Sequence, residues 1–235
     1  MPCQQRLDGM AEEAVQGIGD GGSAASDRTT VRRGALRARY DRDTIIGVLD
    51  SALVAHIGVD TSHGPLVLPM AYGHDGETIY LHGATANSLL GAGDDAELCA
   101  TVTLIDSLVL ARSAFHNSMN YRCVVIRGRG RRVDDPAERE RALRLISDHV
   151  VATWDGGRPP SASEMRRTLV LALPLDEASA KVRTGDPVDE PEDIGGPHWA
   201  GTVAVETVFG RPAAAADLPD GIPVPVPVQR AFGSD

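Results

Sequence analysis

Aromatic side chains are scarce in this chain, at 4% of 235 residues. A core must therefore be built from Leu, Val, Ile and Ala, and the 42% hydrophobic content supplies enough of them for a folded protein. Cysteine is scarcer still. Cys3, Cys99 and Cys123 form no Cys-x-x-Cys pair, which speaks against a disulfide framework and for a reducing compartment. Positive charge is in deficit: a formal net charge of −10 and a pI near 5.1 argue against a nucleic-acid partner, which requires a basic face. The arginines at 32, 33, 37, 39 and 42, and those from Arg127 to Arg132, read as solvated faces and ion pairs. No run of about 18 apolar residues occurs and the first residues hold no apolar h-region, so neither a membrane span nor export is expected, and the protein reads as cytoplasmic.

Missing motifs exclude further chemistry. There is no P-loop, which excludes NTP hydrolysis of that type. There is no Gly-x-Ser-x-Gly elbow, and the pair Ser113 and His116 has no evident third member. His56, His63, His74, His82, His116, His149 and His198 are scattered, with no His-x-x-x-His pair, so no metal site is expected. Gly17-Ile18-Gly19-Asp20-Gly21-Gly22 superficially matches a dinucleotide fingerprint, but it follows no strand and opens no helix.

What is present is a mostly β pattern between two tails. Residues 1–30 are rich in Gly, Ser, Ala, Gln and Asp and read as a mobile tail. Residues 31–210 form the folded domain, and 211–235 a Pro- and Ala-rich arm. Asp41 to Ser51 reads as a short helix with Ile45, Ile46, Val48 and Leu49 on its apolar face. Strands are expected over 52–59, 65–73, 78–82, 97–104, 107–111, 121–130, 168–173 and 202–208, with His74-Asp75-Gly76-Glu77 as a hairpin turn. Pro69 cannot donate a ladder hydrogen bond, which places it at an edge or bulge. Residues 86–91 read as a helical turn. Pro136 to Val151 is the clearest helix, with Asp135 as cap, Glu138 at the capping-box position and Leu143, Ile146 and Val150 on one face. Residues 176–181 read as helical. So many antiparallel-type strands with few helices predict a closed barrel.

Three segments concentrate polar groups. Leu110 to Arg122 packs arginines, a histidine, asparagines, a tyrosine and serines into one inter-strand loop. His82-Gly83-Ala84-Thr85-Ala86-Asn87-Ser88 leaves a strand for a helical turn; it reads equally as a phosphate cradle or as an ordinary capped turn. Lys181 and Arg183 stand two apart, either holding an anion or pairing with Asp186, Asp189 or Glu190. Trp199, between Pro197 and Gly201, reads as a packing anchor.

Taken in order, Pro69-Met70-Ala71-Tyr72, Ile79 to Ala84, Thr101-Val102-Thr103, Leu110 to Arg122, Lys181 to Pro187 and Trp199-Ala200-Gly201 resemble one family. It is that of the flavin-nucleotide-binding proteins related to pyridoxamine 5′-phosphate oxidase, in the branch that includes nitroimidazole-resistance proteins. The resemblance spans residues 31–225. It implies a mainly β FMN-binding split barrel and a homodimer with FMN at the subunit interface. Carried over by position, His82, Gly83, Ala84, Thr85 and Ser88 would lie by the phosphate, and Pro69, Met70, Ala71 and Tyr72 along the isoalloxazine ring. Thr101 and Thr103 would lie under the flavin. Asn120, Tyr121 and Arg122, with Lys181 and Trp199, would complete the site. The chain departs from the family pattern at Ser88, where relatives often carry Arg or Lys, and at Asn117, Cys123 and Ala204. The expected activity is a flavin-dependent oxidation or reduction of a small molecule, with NADH or NADPH as reductant and Tyr72 and His116 as candidate catalytic groups. Two alternatives stand beside it: a non-catalytic flavin carrier or sensor, and a haem-binding split barrel with His82 or His116 as ligand.

Overall fold

The computed structural model describes residues 21–233. Cys3 and the start of the glycine motif at Gly17 lie outside the described residues, as do the last two residues of the arm. The strands are β1 (Ala38–Arg39), β2 (Val54–Thr61), β3 (Gly64–His74), β4 (Thr78–Ala84), β5 (Glu97–Leu110), β6 (Ser118–Arg129), β7 (Arg131–Arg132), β8 (Thr168–Pro174), β9 (Ala178–Arg183) and β10 (Gly201–Ala204). The helices are α1 (Arg42–Ser51), α2 (Ser88–Gly93), α3 (Pro136–Val150), α4 (Ala162–Arg167) and α5 (Val226–Phe232). The strand order is β1-β9-β6-β5-β2-β3-β4-β8-β7, all antiparallel, with β10 added to the far end of β5.

The strand path does not close, since β1 and β7, at its two ends, do not pair with each other. The closed barrel expected from strand count is thus a split one. The split lies in β3. Residues 64–71 pair only with β2, and residues 72–74 turn to β4. Pro69 sits in the first part, where β3 has no neighbour on its other side, as its missing N–H requires. The Asp75-Gly76 turn returns the chain into β4; Asp75 Oδ1 accepts from the backbone N–H groups of Glu77 and Thr78, and Gly76 has φ +89.

The core follows the period of two. On β5, Leu98, Ala100 and Val102 point inward, while Cys99, Thr101 and Thr103 point out. On β8, Leu169, Leu171 and Leu173 enter the main core, and Val170 and Ala172 pack under α3 with Tyr80, Ala142 and Ile146. Helix α1 is capped by Asp41 and buries Ile45, Val48 and Leu49. Helix α3 is capped by Asp135, whose Oδ2 accepts from the N–H of Glu138. Glu138 does not complete a capping box; its carboxylate takes the Arg131 guanidinium instead. Where α3 crosses β3 the strand is bare: an ideal Cβ on Gly73 would fall 2.4 Å from the Leu145 carbonyl carbon. The helix therefore rests on backbone.

Three expectations are corrected. Residues 97–104 and 107–111 are one strand, β5, with a bulge between Ile105 and Ser107. Residues 176–181 are not helical: β9 runs between β6 and β1, and its pairing overrides local propensity. Within the expected mobile tail, residues from Gly21 to Thr30 are held to the body. Arg28 pairs with Glu97 and Glu177, and the Gly21 carbonyl accepts from Tyr40 N–H at 2.7 Å.

Candidate functional site

A cleft of about 480 Å³ opens between α3, the ends of β3 and β4, and the segment from Val151 to Thr168. The stripe Leu143, Ile146 and Val150, expected on one face of the helix, lines this cleft together with Trp154 and Met165. Arg144 pairs with Asp155, and the Trp154 N–H donates to Asp148 Oδ1 at 3.0 Å, so the 151–157 segment rides on α3. Among the lining residues, His82 carries the one imidazole. Partial desolvation of the ring in the cleft lowers its pKa from the ordinary histidine value. At the rim, Glu164 is held down to about 2 by Arg158 and by Ser161, the cap of α4. The lining is thus largely apolar, with Ser147, Thr153, Glu164 and Thr168 as its polar minority and His82 as its one imidazole, a composition suited to a flat, largely apolar cofactor with polar edges.

A second surface is the outward face of the sheet. Antiparallel register puts Pro69, His56, Thr101, Val125 and Ser179 in one row. The next rows on that side are Thr103, Cys123 and Lys181, then Ile105, Tyr121 and Arg183. Val54 and Val67 flank it at 44% and 59% exposure. Burial raises the Cys123 thiol pKa, and Lys181, the chain's only lysine, opposes that shift. Of these rows His56, Pro69 and Thr103 are exposed, while Ser179 and Arg183 are buried.

The structure divides the expected site residues. Ala71 and His82 meet in the cleft. Pro69, Thr101, Thr103, Tyr121 and Lys181 share the outward face. Met70 packs on the core. Tyr72 is wholly buried, and its hydroxyl donates to the carbonyls of Leu49 (2.6 Å) and Ala52 (3.0 Å). It is a packing residue, so its candidacy as a catalytic group is withdrawn. Gly83 has a packing reason: an ideal Cβ would meet Leu90 Cδ1 at 2.7 Å. Ala84 ends β4, and the Thr85 N–H donates to the Arg167 carbonyl. Asn87, not Ser88, caps α2, accepting from Leu89 and Leu90; Ser88 is the first helical residue.

The polar loop is largely satisfied within the chain. Arg122 grips Asp106 at the β5 bulge, with Nη2 to Oδ1 at 2.8 Å. Arg112 and its own N–H both bind Asp189 at 2.7 Å. Asn117 Oδ1 accepts from Ala111 N–H. Asn120 is buried, donating to Ser107 Oγ and the Gly185 carbonyl. His116 lies in the turn between β5 and β6, edge-on to the exposed Phe115, with Glu190 at 3.8 Å. It does not line the cleft. Trp199 is 66% exposed and lies across Gly201, whose ideal Cβ would come within 2.8 Å of the indole. Trp154 and Met165 were not anticipated. Neither carries a sequence signal, because each becomes a wall residue only when α3 lies on the sheet.

Known proteins share this fold. The sequence model of the pyridoxamine 5′-phosphate oxidase family matches residues 41–182. The flavocytochrome Anf3 from Azotobacter vinelandii is 36% identical, with a TM-score of 0.86, covering 89% of this chain and 99% of its own. The FAD- and haem-binding protein from Mycobacterium smegmatis is 30% identical, with a TM-score of 0.79, covering 84% of this chain and 98% of its own. A protein from Bacteroides thetaiotaomicron assigned to 5-nitroimidazole antibiotic resistance shares the fold at 24% identity, with a TM-score of 0.52 over 62% of this chain and 86% of its own. No curated protein sequence matches the chain. With the family model covering more than half of its residues, the chain belongs to the pyridoxamine 5′-phosphate oxidase family of flavin-binding split barrels.

Proposed function

We propose that the protein is a flavin-dependent oxidoreductase of the cytoplasm. It acts on a small molecule as a homodimer, with the flavin on the outward sheet face and haem in the cleft. The observation that carries the haem assignment is His82, the one imidazole lining a largely apolar cleft. Two solved neighbours, the flavocytochrome and the FAD- and haem-binding protein, support the pairing of the two groups. Flavin supplies hydride or single-electron transfer and haem supplies single-electron exchange. His82 would hold the iron through a ring nitrogen, while Leu143, Ile146, Val150 and Trp154 exclude water. On the sheet face, Thr101 and Thr103 offer hydroxyls beside apolar Val125. FMN is the nucleotide the family resemblance implies. FAD is the second reading, favoured by the Mycobacterium smegmatis neighbour.

Absorbance of purified protein tests this reading, with the released flavin identified by chromatography. Flavin bands and a Soret band together are expected, and His82→Ala should remove the Soret band while leaving the flavin. A Soret band that survives His82→Ala rejects the ligand assignment. Anaerobic NADH or NADPH should bleach the flavin; an inert spectrum with several reductants would identify a carrier or sensor instead.

A further inference from the structure

Arg183 is only 7% exposed, yet no carboxylate among the described residues pairs with it. Its one side-chain partner is a neutral oxygen: Nη1 donates to Asn120 Oδ1 at 2.5 Å. That oxygen is fixed in place, because Asn120 Nδ2 is held by Ser107 and Gly185. Two more cations stand beside it. Lys181 lies two residues earlier on the same face of β9 and donates to the Arg33 carbonyl at 2.8 Å. Lys181 and Arg37 meet over Gly34, whose ideal Cβ would lie 3.5 Å from Lys181 Nζ and 3.8 Å from Arg37 Cδ. Burial, and Arg37 as a like charge, both lower the Arg183 pKa against a smaller opposing effect of Tyr121.

Buried charges in folded proteins are normally paired, and a removed counter-charge is costly. Here the partners are one amide oxygen and one backbone carbonyl. At the other end of the expected site the Asn87 side chain is spent on capping and Arg122 on Asp106, and Arg167, whose carbonyl accepts from the Thr85 N–H, is an exposed surface cation. The Arg183 corner differs in holding its cation buried and without a carboxylate partner among the described residues. A planar guanidinium fork flanked by two further donors matches a phosphate oxygen array.

We propose that Arg183, with Arg37 and Lys181, forms a phosphate subsite at the end of β9 that takes the phosphate or pyrophosphate of the flavin nucleotide. This rests on the flavin reading above. The test uses full-length protein depleted of flavin and titrated with riboflavin, FMN and FAD by flavin fluorescence, with inorganic pyrophosphate as competitor. Wild type should prefer FMN and FAD to riboflavin, and pyrophosphate should displace FMN but not riboflavin. Arg183→Gln and Arg37→Gln should weaken FMN and FAD roughly ten-fold or more while leaving riboflavin unchanged. Equal loss for all three flavins, or loss for none, overturns the subsite. Haem loss with unchanged flavin affinity overturns it too, assigning the cations to carboxylates. Should Arg183→Gln fail to fold, Arg37→Gln carries the same comparison from an exposed position. If wild type binds no flavin, the flavin reading alone fails: pyrophosphate protection against thermal unfolding, absent in Arg37→Gln, still upholds an anion site, and absence of protection overturns it.

Discussion

Tyr72 shows how a single residue can belong to a functional motif and serve the core. Its ring stacks at 4.6 Å from His149, and its hydroxyl satisfies two carbonyls at the end of α1. Burial and the nearby Asp50 carboxylate raise its pKa, so it stays a donor across the accessible pH range. Tyr72→Phe should cost about 1–2 kcal/mol in urea unfolding and leave any flavin spectrum unchanged. A spectral change without loss of stability would return it to the site. The motif Pro69-Met70-Ala71-Tyr72 cannot face a ligand as a block, since a strand alternates: Met70 and Tyr72 point to the core and Pro69 and Ala71 away from it. The same alternation separates Tyr121 from Asn120 and Arg122. Residue types were legible in the sequence, but which side of the strand each occupies depends on register.

At the scale of elements, helix ends and turns were legible because their signals are local. Asp41, Asp135 and Asp75 all act where their neighbours in sequence require. Contacts distant in sequence were not legible. Gly73 is silent as a letter, yet α3 is seated on it. Gly73→Ala should push the helix off β3, at a cost of roughly 1–3 kcal/mol or more in chemical denaturation. A variant of unchanged stability would mean that the helix position is soft. Asp189 is the other distant contact, tying the segment after β9 to the polar loop through Arg112. Burial opposes its ionisation, but the Arg112 N–H and guanidinium outweigh that and hold the carboxylate below its usual range. A carboxylate with a depressed folded pKa contributes stability above its unfolded value, and that contribution is lost as pH falls through the folded value. Protection of residues 184–192 against hydrogen exchange, relative to the intrinsic rate at each pH, should therefore fall on acidification below about pH 4, and Asp189→Asn should show the lowered protection already at pH 7. Equal protection in wild type and variant at pH 7 would dismiss the tie.

At the scale of the whole molecule, the sheet is continuous but unclosed, and it leaves an outward face with few charges at its centre. A count of strands predicts a barrel; only the change of partner within β3 shows that the barrel is split. If that face is the dimer interface, a charge at its edge should weaken association without unfolding the protomer. Val67→Lys, at a position 59% exposed in the protomer, is expected to shift sedimentation from dimer toward monomer with little change in circular dichroism. Sedimentation identical to wild type would move the interface elsewhere.

The corner at Lys181 has a consequence for the protein's charge as a whole. All the other basic side chains are arginines, and guanidinium groups stay protonated at any pH a fold survives. The one primary amine among the side chains therefore stands at this corner. The molecule's cationic complement is close to a constant, against which the carboxylates and seven histidines vary. Amine-directed labels, the N-terminus apart, will enter the chain at this corner alone.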